Sequence, residues 1–315
     1  MQGNDTKDAT ERRMMQPVEL SFASPRKLPK AKDLRGNVAV LDIAFASEAG
    51  GKSFETVTLP FIEALGSRLR AWVDHHDSLH HARYVEDARF VLSTKAEHGA
   101  CPEMITPEVV ARAGRIDTLV CHVDFDGLAS GAKWLRGGEE PYPGCDADAR
   151  AIDTRIGTPG PIAQRIDRAL RARPRDHALF GLIVRHLATG LTDASLWQPI
   201  DAAGAELAPL EAESRRLAKS FERVEPGIVI VDATSRRGPY DKTLLLLVGQ
   251  ERASVSAVID GDNVTFAAAF DSGINFLEKF GISGGMPTVV SIHRSKLGSA
   301  LEALGVKPAE ASRFA

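Results

Sequence analysis

The stretch 115-RIDTLVCHVDFDGLASGAKWL-135 decides the fold. Its first half is an apolar, β-rich run, and LASGAKWL has helix-forming composition. A strand that runs through a short polar stretch into a helix is the repeating unit of an α/β domain. The same pattern occurs upstream. In 37-NVAVLDIAFAS-47 an apolar run ends in Asp42 and a loop, and 53-SFETVTLPFIEALGSRL-69 then reads as a helix, with Pro60 tolerated near its start. A third strand, 70-RAWVDHH-76, is followed by a segment read as helical, containing STKAEHGACPEMI and PEVVARAG. Alternating strands and helices predict a parallel sheet over residues 36–190.

Outward from this core, residues 1–35 are polar and aperiodic and are expected to form a mobile tail. Residues 160–221 read mostly as helices, with 191–226 a helical linker. From Gly227 the texture turns strand-like in GIVIVDAT, KTLLLLVGQ, SVSAVID and NVTFAAAF, then a glycine turn in GISGGMPTVVSIH and a closing helix in LGSALEALG. The expected architecture is α/β: a parallel-sheet domain, a helical linker and a smaller α/β domain over 227–315. Hydrophobic residues at 43% and charged residues at 26% fit an ordinary globular chain. The longest apolar run, TLLLLVG, is too short to span a bilayer, and the N-terminal residues carry no secretory signal, so a cytoplasmic protein without membrane contact is expected. Three cysteines without CxxC spacing argue against a zinc ribbon or a disulfide framework. A net charge of −3 disfavours a long nucleic-acid groove.

The chemistry concentrates where the strands end. His122, Asp124 and Asp126 alternate and would share one face of a strand. Three such groups at the end of a buried strand are costly unless something binds them, and imidazole with carboxylates suits Mn²⁺, Mg²⁺ or Zn²⁺. A polar strand end with a helix cap is the competing reading. The helix is expected to begin near Ser130, leaving N–H groups free for a phosphate. Asp42, and Asp74 with His75 and His76, end the other two strands. In parallel α/β sheets, ligands gather beyond the carboxyl ends of strands.

VDHHD and HVDFDGLASG resemble the signature motifs of the DHH phosphoesterase superfamily, which pairs a metal-binding DHH domain with a DHHA1 substrate domain. The resemblance covers most of residues 37–300, with the first domain the more specific part. It implies a two-metal site, usually manganese, with Mg²⁺ or another divalent ion as alternatives. Carried over residue by residue, His122 and Asp124 would bind one ion, Asp126 and His75 the other, and Asp42 would bridge them. The last ligand falls to Asp153 in RAIDTRIG, with Asp146 and Asp148 as rivals. Asp42, His76 and Asp126 would be the catalytic groups, with Asp74 orienting an imidazole. Substrate would meet His76, Ser130, the glycine turn at Gly284 and Gly285, and Arg294 beside His293.

The motif order departs from the family's. Asp42 comes first, DHH second and HxDxD third, as in a circular permutation, and Met286 follows the glycine turn where a histidine is usual. The function implied is hydrolysis of short oligonucleotides or of linear or cyclic dinucleotides. The alternatives are a RecJ-type single-strand exonuclease, an inorganic pyrophosphatase and a non-catalytic nucleotide sensor. A homodimer is compatible with the sequence. His80 and His81 read as a solvated loop, and His98 as a helical residue. Arg165, Arg168 and Arg175 read as a mainly solvated basic face, and Cys121 as pointing into the core, away from His122. Trp72 and Trp134 read as packing residues.

Overall fold

The computed structural model describes residues 17–47, 52–224 and 227–314. Six strands occupy the first part of the chain: β1 (Glu19–Phe22), β2 (Val38–Leu41), β3 (Leu69–Asp74), β4 (Asp77–Ser78), β5 (Phe90–Leu92) and β6 (Thr118–Cys121). Five of them form a sheet in the order β1-β6-β2-β3-β5, and every pairing is parallel. Both faces of this sheet are covered, which accounts for the unbroken apolar runs VAVL and TLVC. Period-2 alternation divides the side chains. Val38, Val40, Trp72 and Val120 face Phe45, Phe54, Phe61 and Ile62, whereas Ala39, Leu41, Val73, Leu119 and Cys121 face Met104, Ile105 and Trp134. Trp72 is fully buried and donates its indole N–H to the carbonyl of Ile43 at 2.9 Å.

Several expectations are corrected here. Residues 17–35 are not a tail, because β1 pairs along β6 and Arg68 donates to the carbonyls of Ala31, Leu34 and Gly36. Residues 1–16, the rest of the expected tail, lie outside the described residues. Of the segment read as helical, STKAEHGACPEMI is a turn and a short 3-10 stretch at Cys101–Met104, and the helix is confined to Pro107–Ala113; β5 precedes it.

Helices at Phe125–Leu135, Cys145–Thr154, Pro161–Ala172, His177–Ala188 and Trp197–Ala205 pack into one apolar cluster against the first sheet's flank. Arg165 and Arg168, read as a solvated face, are largely solvated and also make ion pairs at the helix surface. Arg165 pairs with Asp201 at 2.6 Å and covers the Trp197 ring, and Arg168 pairs with Glu211 at 3.1 Å. The helix Leu207–Leu217 leads into a second, smaller domain. Its strands are β7 (Glu222–Val224), β8 (Ile228–Asp232), β9 (Val255–Asp260), β10 (Asn263–Ala268), β11 (Gly284–Gly285) and β12 (Val289–His293). The mixed sheet runs β12-β10-β9-β8-β7, with only β8 and β9 parallel.

KTLLLLVGQ, read as a strand, is instead the helix Lys242–Gln250. Leucine favours a helix, and Asp241 caps it by accepting from the N–H of Leu244 at 3.1 Å. The domains meet through backbone. β11 pairs antiparallel with β4, aligning Gly284 with Ser78 and Gly285 with Asp77. A Cβ on Gly284 would lie 2.6 Å from the carbonyl oxygen of Asp77, so this contact requires glycine.

Candidate metal centre

Register brings the site together. Leu41 of β2 lies opposite Val73 of β3 and Cys121 of β6, so the next residues, Asp42, Asp74 and His122, leave the sheet at one level. The sheet continues into them, with the N–H of Asp42 donating to Val73 and that of His122 donating to Leu41. Changing the chain order of these strands alters their connections and leaves this edge intact.

Asp42 stands at the centre. It adopts a left-handed backbone, φ 58°, which is strained for a residue with a Cβ. Its carboxylate is 1% exposed and neither oxygen accepts a hydrogen bond of normal geometry. His75 Nε2 stands 3.2 Å from Oδ1, and His122 Nδ1 stands 3.6 Å from Oδ2. A buried, unsatisfied carboxylate is costly, and a cation would satisfy it.

Around Asp42 the donors fall into two main triads. Asp42, His122 and Asp124 form one; His75, Asp126 and Asp153 form the other. His75 Nε2 lies 3.1 Å from Asp126 and 3.9 Å from Asp153. His75 Nδ1 lies 2.8 Å from the carbonyl of His98. That carbonyl can only accept, so Nδ1 carries a proton and Nε2 is the nitrogen turned toward the carboxylates and open to an ion. Asp126 is steadied by the N–H of Cys101 at 2.9 Å. These buried donors fit a hard divalent ion, which takes carboxylate oxygen and neutral imidazole nitrogen.

The charges are strongly coupled. Burial opposes ionisation of Asp42, but the imidazoles of His122 and His75 hold its carboxyl well below the usual range. Burial and the charge of Asp42 push Asp126 well above it. Burial works against His75 protonation, but Asp126 and Asp42 raise it to about 11.

His76 differs from His75. Its Nδ1 lies 2.8 Å from Asp74, a fully buried carboxylate, and 3.9 Å from Asp42. Asp74 therefore holds the Nδ1 proton and fixes the ring, leaving Nε2 as the other reactive nitrogen. The residue lines a cavity of about 190 Å³ with Arg26, Phe45, Gly284 and Gly285. A larger cavity, about 570 Å³, opens on the other flank. Asp124, Asp126 and Asp153 line it together with Arg155, Arg175 and Lys242.

The remaining expected residues separate. Asp146 is held by Lys133 at 2.5 Å, and Asp148 by Tyr142 and the N–H of Gly160, so neither rival of Asp153 reaches the centre. Ser130 is corrected as a substrate group. Asp124 caps the helix through the N–H of Gly127 at 2.9 Å, starting it at Phe125, which leaves Ser130 a turn inside and fully buried. Arg294 is corrected as well. It pairs with Asp232 at 3.4 Å and lines a cavity built wholly from second-domain residues and the approach to β7. Gly284 and Gly285 join the domains by backbone pairing while bordering the cavity of His76. His80 stacks on Phe54 at 4.2 Å and His81 meets Phe45 edge-on, so they pack on aromatic rings instead of forming a solvated loop. His98 lies in a turn before the helix Pro107–Ala113, not within a helix.

Two participants escaped the sequence reading. Arg26 comes from the segment taken as a tail. Lys95 is 2% exposed, with Nζ 2.9 Å from His75 Nε2 and hydrogen-bonded to Asp153. Burial disfavours its charge, but Asp153, Asp126 and Asp42 hold it above the ordinary lysine range.

The fold and centre thus define an α/β chain with a buried carboxylate–imidazole cluster able to hold metal ions. A scan against protein-family models finds no match, and no curated protein matches the sequence. Among solved structures the chain is similar to the "pGpG-specific phosphodiesterase - PggH from Vibrio cholrae", at 12% identity and a TM-score of 0.35. The match covers 54% of this chain and 66% of that one. Among the described residues, no helix is long and apolar enough to cross a membrane.

Proposed function

We propose that this chain is a metal-dependent phosphodiesterase of the DHH type, acting on short oligonucleotides or on linear or cyclic dinucleotides. The observation that carries the reading is Asp42: a buried carboxylate with two unsatisfied oxygens, ringed by ligand-type groups from β3, β6 and the helix Cys145–Thr154. Asp42, His122 and Asp124 would hold one divalent ion, manganese or magnesium, and His75, Asp126 and Asp153 a second. Ions bound there supply Lewis-acid polarisation of a phosphoryl group and acidification of water.

The protein's own groups do the rest. The fixed backbones of β2 and β6 set the spacing of Asp42 and His122, so little reorganisation is needed on binding. The carbonyl of His98 keeps His75 Nε2 turned inward. His76, oriented by Asp74, is placed to hold a phosphoryl oxygen or to give a proton at Nε2 to a departing oxygen. In the larger cavity, Arg155, Arg175 and Lys242 make no ion pair within 4.0 Å among the described residues. They supply positive charge to a cavity otherwise rich in carboxylates, which a phosphate-bearing ligand would draw on. About 570 Å³ suits a small ligand, and Tyr240, Lys242 and Asp260 of the second domain border it, which favours a short substrate over a threaded strand.

The test is hydrolysis with Mn²⁺ of a linear dinucleotide, a cyclic dinucleotide, a longer single strand and pyrophosphate, with Asp124→Ala run alongside. Turnover of a dinucleotide, lost in the variant, is expected. No turnover of any substrate, or equal turnover by Asp124→Ala, would refute the reading.

A further inference from the structure

We propose that Lys95 is a resident cation of the second triad, so that the protein binds one divalent ion firmly at Asp42–His122–Asp124 and admits a second only by displacing the Lys95 ammonium. This rests on the metal-dependent reading above and adds a constraint to it.

The two triads are not equivalent. Around Asp42, His122 and Asp124, no lysine or arginine nitrogen among the described residues comes within 4.0 Å of a carboxylate oxygen. In the other triad the ammonium of Lys95 touches both His75 and Asp153. It therefore occupies two of the three donors, His75 Nε2 and Asp153, that the triad would offer to a metal, and Asp126 acts on it only from beyond 4.0 Å. A buried ammonium is tolerated only beside compensating negative charge, and Asp153, Asp126 and Asp42 provide it.

The placement is built into the backbone. Lys95 follows β5, whose neighbour β3 ends at Asp74, the residue before His75. The N–H of Ser93 donates to Asp74 at 3.0 Å, continuing the pairing beyond β5. Glu97 gathers the turn by accepting from the hydroxyls of Ser93 at 2.7 Å and Thr94 at 3.0 Å. The N–H of Lys95 reaches Asp77 at 3.4 Å. The same turn presents the His98 carbonyl that orients His75. One short loop therefore aims the imidazole and fills the space in front of it.

An ammonium and a divalent ion cannot share one set of donors, because the same lone pairs serve both and like charges repel at contact. The competition is reciprocal: whatever weakens the ammonium must strengthen the second ion. With Lys95 in place, one positive charge of the pair is permanent and covalently attached, and the first ion is the only one drawn from solution at low metal concentration.

The experiment counts Mn²⁺ on metal-stripped full-length protein by equilibrium dialysis with elemental analysis, and reads metal–metal coupling by electron paramagnetic resonance. Wild type, Lys95→Met, Lys95→Gln and Asp124→Ala are compared. Wild type is expected to hold one firm Mn²⁺, lost in Asp124→Ala, with an uncoupled signal. Lys95→Met or Lys95→Gln is expected to bind a second ion at least about tenfold more tightly than wild type does, with a coupled-pair signal. The wild-type count stands even where a variant does not fold: two firm, coupled ions in wild type overturn the Lys95 proposal and leave the metal-dependent reading standing. Unchanged second-ion affinity in a folded Lys95 variant overturns it too. No bound Mn²⁺ in any protein overturns both.

Discussion

Gly127→Ala places a methyl group into the backbone that holds the centre. Gly127 lies in the first turn of the helix Phe125–Leu135, immediately after Asp126. A Cβ there would sit 2.7 Å from both the Cβ and the carbonyl oxygen of His122, and 2.8 Å from its carbonyl carbon. Two of these three contacts are with backbone, so no flexible side chain can give way. Ordinary carbon–carbon contact begins near ~3.5 Å, so helix start and strand end must part by roughly 0.8 Å. Overpacking of this kind costs about 1–3 kcal/mol. In a chain of this size that corresponds to a Tm lowered by roughly 2–10 °C. The displaced segment carries Asp124, whose carboxylate accepts from the Gly127 N–H, and Asp126. Mn²⁺ affinity is therefore expected to fall roughly 10–100-fold, as when a ligand's supporting contact is lost. Thermal melts and Mn²⁺ titration read the two effects. Gly238→Ala is the control, since a Cβ there meets nothing within 4 Å. A Gly127→Ala protein with wild-type Tm and wild-type Mn²⁺ affinity would refute the steric argument.

His76→Ala is expected to lower kcat roughly 10²–10⁴-fold with a small change in KM, because proton transfer is lost while the cavity remains; steady-state kinetics of the manganese-loaded enzyme check this. All three cysteines are buried, and burial raises each thiol above its ordinary range, so a thiol reagent at pH 8 should label none in the native protein and all after unfolding. Glu213 is drawn down to about 2 by the Arg216 guanidinium and the backbone N–H of Arg237. A depressed carboxyl contributes stability above its ordinary 4.5 and loses it as pH falls toward about 2. The Tm gap between wild type and Glu213→Gln should therefore be widest near neutrality and shrink as pH falls from 4.5 toward about 2.

The edge that carries the candidate metal centre is legible because chain pattern and chemistry coincide there. VAVL and TLVC are buried apolar runs and LRAWVD is buried except at Arg70, and each leads into ligand-type residues that the strand register aligns. What escaped notice depended on tertiary context. β1 has four residues and one partner strand, and ELSF has no signal that outweighs its polar surroundings. Lys242–Gln250 was mistaken for a strand on its run of leucines, although Asp241 ahead of it is an N-cap signal. Lys95 lies in a polar turn, and nothing local marks it. Its role follows from a fold that carries a residue 20 positions away from His75 back to the same imidazole. Ser130 is misplaced because the helix start is set near Ser130, whereas the Asp124 cap, the competing reading of that strand end, starts the helix at Phe125.

The most direct test of the account is anomalous diffraction at the manganese edge from crystals soaked in Mn²⁺. A peak between the carboxylates of Asp42 and Asp124 and the imidazole of His122 is predicted. The absence of any peak within ligand distance of Asp42 would contradict the central claim.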